Sequence, residues 1–188
     1  GDAAERARMQ WQVAKVRWRA QADPEGARAL LQQALDAARL AGDPAIEAET
    51  VNQLATMANE HDGDPVAAEA GYRKALALMQ RAVPPPLHAM RGVRHNLAIT
   101  LIYAHRPAEA LALIGPLLEE AQASGDVQLL APLHNARGSA LQDLGRLAEA
   151  MAATVESLRL AWQALETESV LYALWNLALL AHRQARDD

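Results

Sequence analysis

The 188-residue chain has no cysteine and no phenylalanine, and its aromatic share is only 4%. Without thiols there is no thiolate catalysis, no disulfide framework and no thiolate metal site, a usage that fits a reducing compartment. Val, Ile and Thr are scarce. Strands draw on β-branched and aromatic side chains, so a β or α/β fold is excluded. Long apolar runs are missing too: none approaches the roughly 20 residues that span a bilayer. The longest, near 170–181, is interrupted by Trp175 and Asn176. The opening Gly1-Asp2-Ala3-Ala4-Glu5-Arg6 lacks the basic region and apolar core of a secretion signal. A cytoplasmic protein without membrane contact is the expectation.

Positive charge is thin as well. Lys occurs only at Lys15 and Lys74, and the formal net charge is −5. A nucleic-acid surface must neutralise phosphates with clustered Lys and Arg. The nearest cluster, Arg6, Arg8, Lys15, Arg17 and Arg19, reads as solvated helix face, so no direct nucleic-acid contact is expected. What the chain does have is Ala and Leu, together more than a third of its residues. Both are strong helix formers. An apolar share of 51% against 22% charge gives ample material for a core. The composition predicts an all-α protein.

Proline and glycine punctuate it at near-regular intervals: Asp23-Pro24, Gly42-Asp43-Pro44, Gly63-Asp64-Pro65, Pro84-Pro85-Pro86, Arg106-Pro107, Gly125-Asp126 and Gly145-Arg146. Pro is tolerated in a first helical turn and Asp before it caps free amides, so Asp-Pro marks helix starts. The apolar spacing between breaks predicts nine helices, at about 5–21, 24–41, 44–60, 64–82, 86–104, 107–124, 126–144, 147–165 and 167–185. Pro132 falls early in its helix, whereas Pro116 is expected to kink the helix over 107–124. The helices pair, and the pairs match. Asn96–Ala110 aligns without gaps on Ala136–Ala150, and the same register equates Ala27, Ala68, Ala110 and Ala150 at spacings of 41, 42 and 40 residues. Such a period signals a solenoid of stacked helical hairpins. Ala98 and Gly138 are expected to let first helices approach Ala110 and Ala150 closely, with Leu97, Leu101, Leu141 and Leu177 filling the space between hairpins.

The stretches NLAITLIYAHRPAEA (96–110) and ARGSALQDLGRLAEA (136–150) resemble the tetratricopeptide repeat, with its Asn-Leu-Gly, Leu-Gly-Asp/Arg and Glu-Ala positions. Tyr72–Leu78 is similar to the end of that repeat's second helix. The resemblance covers nearly the whole chain as one repeat domain: hairpins at about 5–41, 44–82, 86–124 and 126–165, then an incomplete one at 167–188. It implies a right-handed superhelical solenoid of about four and a half repeats. The first two repeats carry one extra residue before the turn. A period near 40 is typical of the long repeats in bacterial signalling ATPases and transcription activators. The half repeat at the end suggests a fragment of a larger protein.

Chemistry is sparse. Glu60-His61-Asp62-Gly63-Asp64 is rich in ligand types but lacks the spacing of a calcium loop and reads as a capped turn. The six His residues form no zinc-protease pair, there is no Gly-rich phosphate loop, and no Ser sits in a nucleophile elbow. No catalytic residue, metal or cofactor is expected. The resemblance instead implies a concave groove lined by first helices. It places Trp11, Lys15 and Trp18, then Asn52, Thr56 and Asn59, then Arg91, His95 and Ile99, then Asn135 and Ser139, then Tyr172, Trp175 and Arg183 near the inner face. Asn52, His95 and Asn135 would be polar contacts, with Trp11 and Trp175 as anchors. Lys15, Arg91 and Arg183 fall in different repeats, so the basic clamp that chaperone-binding relatives close on a peptide carboxylate is not assembled. The expected function is a non-catalytic module of a bacterial transcription regulator, binding a protein, a peptide, an effector or other domains of its own chain. The alternatives are the sensory part of a signalling enzyme such as a cyclic-dinucleotide synthase, and a scaffold that dimerises through an open apolar face at Leu174, Leu177 and Leu180.

Overall fold

Asp-Pro starts helices because two chemical requirements coincide there. Proline's fixed φ suits the first turn, and the aspartate beside it accepts from amides that have no helical partner. In the computed structural model, which describes residues 2–187 and the side chains of 2–183, this holds three times. Asp23 accepts from the Gly26 amide at 2.9 Å. Asp43 accepts from Ala45 and Ile46, each at 3.1 Å. Asp64 accepts from Val66 at 3.1 Å and Ala67 at 2.9 Å. The described residues form nine helices and no strand: α1 (Asp2–Gln21), α2 (Pro24–Ala41), α3 (Pro44–Glu60), α4 (Pro65–Met79), α5 (Leu87–Tyr103), α6 (Pro107–Ser124), α7 (Val127–Asp143), α8 (Leu147–Gln163) and α9 (Thr167–Asp187). None is long and apolar enough to cross a membrane.

Two local expectations need correction. The first helix starts at Asp2 rather than near residue 5. The fourth ends at Met79 rather than 82, because Pro84 disfavours helical backbone at the residue before it and the three prolines donate no amides. Pro116 falls inside α6, which is helical from Pro107 to Ser124. It lies on the exposed side of that helix, where water can reach the carbonyl of Ala112 that proline leaves without a helical donor.

The chain forms two compact units, one up to Leu97 and one from Ala98, with their border inside α5. In the first unit α1 packs on α2, α3 on α4, α2 on α3, and α1 also meets α3. In the second, α7 packs on α8, α6 on α7, α8 on α9, and α7 meets α9. Both units follow one rule. Hairpin partners pack together, a second helix packs on the first helix that follows it, and successive first helices touch.

The repeat is written in burial. Ala27, Ala68, Ala110 and Ala150 are all at 0% exposure. Four residues on, Leu31, Tyr72, Ile114 and Thr154 are buried; seven on, Ala34, Ala75, Leu117 and Ser157; eleven on, Ala38, Met79, Ala121 and Ala161. Spacing of 4, 3 and 4 is one face of a helix. First helices answer with small residues: Ala14, Ala55 and Ala98 are buried, as is Gly138. The turns repeat as well. Ala22, Gly63, His105 and Gly145 take left-handed backbone (φ of 51°, 63°, 56° and 72°), each five residues before the buried alanine. The amides of Asp23 and Asp64 then reach back six residues, to the carbonyls of Arg17 and Ala58. Those of Arg106 and Arg146 reach back five, to Leu101 and Leu141. That difference is the extra residue of the first two repeats. It is taken up in the turn, so the second helices keep their register.

Two glycines set the closest approaches. A Cβ on Gly138 would collide with the Thr154 hydroxyl and come within 3.3 Å of the Ala150 carbonyl oxygen. That hydroxyl already donates to the same carbonyl at 2.8 Å, so it has little freedom to move. A Cβ on Gly71 would sit 2.7 Å from that of Ala55. Gly92, also helical, has nothing within 4 Å of its missing Cβ. Gly138→Ala is therefore expected to lower stability by about 1–3 kcal/mol through overpacking. Gly92→Ala is expected to raise it, by up to about 1 kcal/mol of helix propensity. Chemical denaturation of the two variants checks both signs.

Candidate functional site

Helices α1 and α3, which meet each other, carry the first six residues that the tetratricopeptide resemblance placed on a groove. Arg8 Nη2 lies 3.4 Å from Asp43 Oδ2, and Arg19 Nη2 lies 3.0 Å from Glu60 Oε2. The first pair joins the N-terminal half of α1 to the start of α3, and the second joins their C-terminal ends. The two helices therefore run parallel. Both arginines are largely solvated, so the pairs orient the helices more than they stabilise them.

Between these pairs lie Trp11, Lys15 and Asn52. The Lys15 ammonium stands over the Trp11 ring at 4.6 Å from its centroid, within cation–π range. Trp11 Nε1, a donor, and Asn52 Oδ1, an acceptor, are both shielded from solvent, and neither has a hydrogen-bond partner. Leaving such a group unpaired costs about 1–3 kcal/mol. Partial desolvation is the main force raising the Glu49 carboxyl pKa, helped by Asp43 and opposed by Lys15 and Arg8. Asn59 is half-buried in the last turn of α3. Trp18 is capped by the Arg19 guanidinium at 4.2 Å, so this arginine links an aromatic face to Glu60. Thr56 serves the core instead. Its hydroxyl donates to the Asn52 carbonyl at 3.0 Å and accepts from Tyr72 at 3.1 Å. Burial pushes the Tyr72 phenol up to about 12 despite that bond, so it stays a donor at all ordinary pH.

The other groove residues are distributed along the chain. Arg91 and His95 are half-buried on α5, as is Ile99 beyond the border between the units. In the second unit, Asn176 Nδ2 donates to Asn135 Oδ1 at 2.9 Å and lies 3.3 Å from Ser139 Oγ. Asn135 and Ser139 thus hold α9 to α7. Asn176 is the partner that sequence reasoning missed. Its signal was present, because Asn135 and Asn176 are 41 residues apart, one repeat. Tyr172 and Trp175 are exposed at 58% and 67%. Arg183 borders a hollow of about 240 Å³ together with His105, Pro107 and Asp143. His134 drew no attention in the sequence, yet burial pushes its imidazole down, against the pull of Glu156 and with the push of Arg137 and Arg159. Its Nδ1 is shielded and unpartnered.

The apolar face expected at Leu174, Leu177 and Leu180 is only partly open. Leu180 is completely buried in a cluster with Leu141, Ala150 and Ala153. Leu177 is half-buried, leaving Leu174 as the exposed member. The open face of α9 is rotated from the expected one because Leu180 is the side chain that docks it on the preceding hairpin.

No protein-family model matches the chain, and no curated protein matches it.

Glu49 offers a direct electrostatic test. A carboxyl whose pKa is raised on folding favours the folded state when protonated, and that advantage is lost as pH rises through the folded pKa. Glu49→Gln is therefore expected to be more thermostable than the parent at pH 7. The gap should close as the pH falls to about 4, where glutamate protonates in either state. Thermal melts at the two pH values check the crossover.

Proposed function

We propose that the chain is a non-catalytic binding module of the tetratricopeptide kind that takes an extended protein segment across the α1/α3 face. It serves as a regulatory part of a larger bacterial transcription regulator in the cytoplasm. The observation that carries this reading is the unmatched pair at the centre of the face. Trp11 Nε1 offers a donor and Asn52 Oδ1 an acceptor, both withdrawn from water and without partners. A peptide backbone supplies the complementary groups at each residue, a carbonyl and an amide. Buried polar atoms are normally paired, so these two orphans favour a ligand whose binding turns the two side chains outward and completes them.

The surrounding charges narrow the partner. Arg8 with Asp43 and Arg19 with Glu60 are already paired, while Lys15 lies over Trp11 with Glu49 in its field. This face is close to neutral. It suits a segment of mixed polarity better than an acidic tail or a phosphate backbone, and it involves no cofactor. The periodic buried alanines and the left-handed turn five residues before each of them support the repeat reading.

Peptides selected from a display library against the whole chain provide the test. Asn52→Leu keeps the branching of the side chain but removes the acceptor, and is expected to weaken their binding by about 2–12-fold, one neutral hydrogen bond. Lys15→Glu is expected to weaken it further, and Gln122→Ala, on an exposed face of α6, to leave it unchanged. Selected peptides that bind all three variants like the parent would place the binding surface elsewhere.

A further inference from the structure

The last hairpin departs from its own repeat at two outward positions. Five and twelve residues after the buried alanine, the earlier second helices carry Gln32 and Arg39, Arg73 and Gln80, then Gly115 and Gln122, all exposed. In α8 these positions are Val155 and Trp162, still exposed at 51% and 69%. A further repeat does not account for the change. In the first unit, where α3 and α4 follow α2, Gln32 and Arg39 remain open to solvent. With Leu158, Val170 and Leu174, the two apolar residues line a groove of about 450 Å³ between α8 and α9.

Next to that groove, α9 exposes a stripe of its own. Leu171, Trp175 and Ala178 face solvent, with Glu168 before them and His182 after. Positions 168, 171, 175, 178 and 182 alternate steps of three and four, the spacing of a helix seam made to meet another helix.

We propose that this face joins two copies of the chain, α9 against α9, antiparallel about a two-fold axis near Trp175. The charged ends of the stripe, Glu168 and His182, each lie seven residues from that tryptophan. A two-fold axis there sets Glu168 against the partner's His182, and Leu171 against the partner's Leu179. Parallel pairing would instead bring acid to acid and align the helix dipoles, whereas the antiparallel pair opposes them. A two-fold contact needs a surface that is complementary to itself, and the Leu171–Trp175 ridge beside the Trp162–Leu174 groove has that form. The area is sufficient. Leu171, Tyr172, Leu174, Trp175, Leu179 and Trp162 are between 39% and 69% exposed. At about 150–250 Å² per large side chain they leave roughly 600–700 Å² of mainly apolar surface open. That is above the few hundred Å² typical of a monomer's surface and near the ~800 Å² per partner of a stable interface.

Sedimentation equilibrium of the whole chain across the micromolar range tests this. The parent is expected to be a dimer and Trp175→Glu a monomer with unchanged helicity by circular dichroism, since Trp175 is mostly solvated. Ala178→Arg, on the same stripe, is expected to do the same and serves as the second variant if Trp175→Glu loses helicity. His182→Glu sets like charges together at two symmetric points and should weaken the dimer by about 3–10-fold. Adding Glu168→Lys to it should recover the loss. A parent that stays monomeric throughout, or a dimer indifferent to both stripe variants, overturns the proposal. A dimer broken by Trp175→Glu but indifferent to the charge exchange overturns the antiparallel register.

Discussion

The close approach of two helices within a hairpin is the constraint on which the rest of this molecule depends. Leucine-sized side chains hold helix axes at the usual 8–10 Å, and only small residues on both sides permit less. Here Ala14 clusters with Ala27, Ala55 lies against Gly71 and Gly138 against Ala150, small residues meeting across the hairpins α1/α2, α3/α4 and α7/α8. Near those points the backbone itself becomes the packing surface, as the Ala150 carbonyl does beneath Gly138. Buried methyl groups contribute little hydrophobic free energy each. Most of the stabilisation comes from the flanking columns, where each fully buried Leu, Ile or Met contributes about 1.5–3 kcal/mol. The alanines position those columns, and the columns stabilise the hairpin.

This division explains which features were legible in the sequence. Helix starts could be read because Asp-Pro acts locally, and the caps of Asp23, Asp43 and Asp64 depend only on the next three residues. The repeat period could be read because small residues at the contact tolerate no substitution by bulk. The end of α4 was misjudged by three residues because the apolar pattern continues through Ala82 and Val83, while the proline run that stops the helix acts backwards along the chain. The orientation of α9 was misjudged for a different reason. Five leucines between 171 and 180 give two candidate apolar faces, and periodicity alone does not choose between them. The choice is made by Leu180 entering the cluster with Leu141, a contact between residues 39 positions apart.

The groove positions expected from the resemblance are regular in the sequence, but the state of each is not legible there. Trp11, Asn52, His95 and Asn135 each stand three residues before the small first-helix residue, so a single periodic rule selects them. What each does depends on its neighbour. Asn135 meets a second Asn one repeat later and is satisfied. Asn52 has no such partner, and its oxygen is left unpaired. One repeat position therefore holds a structural tie in the second unit and a shielded, unpaired acceptor in the first.

The Asn135–Asn176 tie also has a physical purpose that apolar packing does not serve. Alanine-rich helix faces are smooth, and a helix lying on one can slide by a turn at small cost because one methyl resembles the next. A shielded amide pair removes that freedom. Sliding α9 along α7 by one turn, about 5.4 Å, would separate the two amides and leave each without its partner, a penalty of about 1–3 kcal/mol per group. Single buried polar residues fix the register of helix pairs elsewhere by the same logic. The consequence reaches the surface. With the face of α9 chosen by Leu180, the amide pair fixes the height along α7 at which Leu171 and Trp175 are presented to solvent.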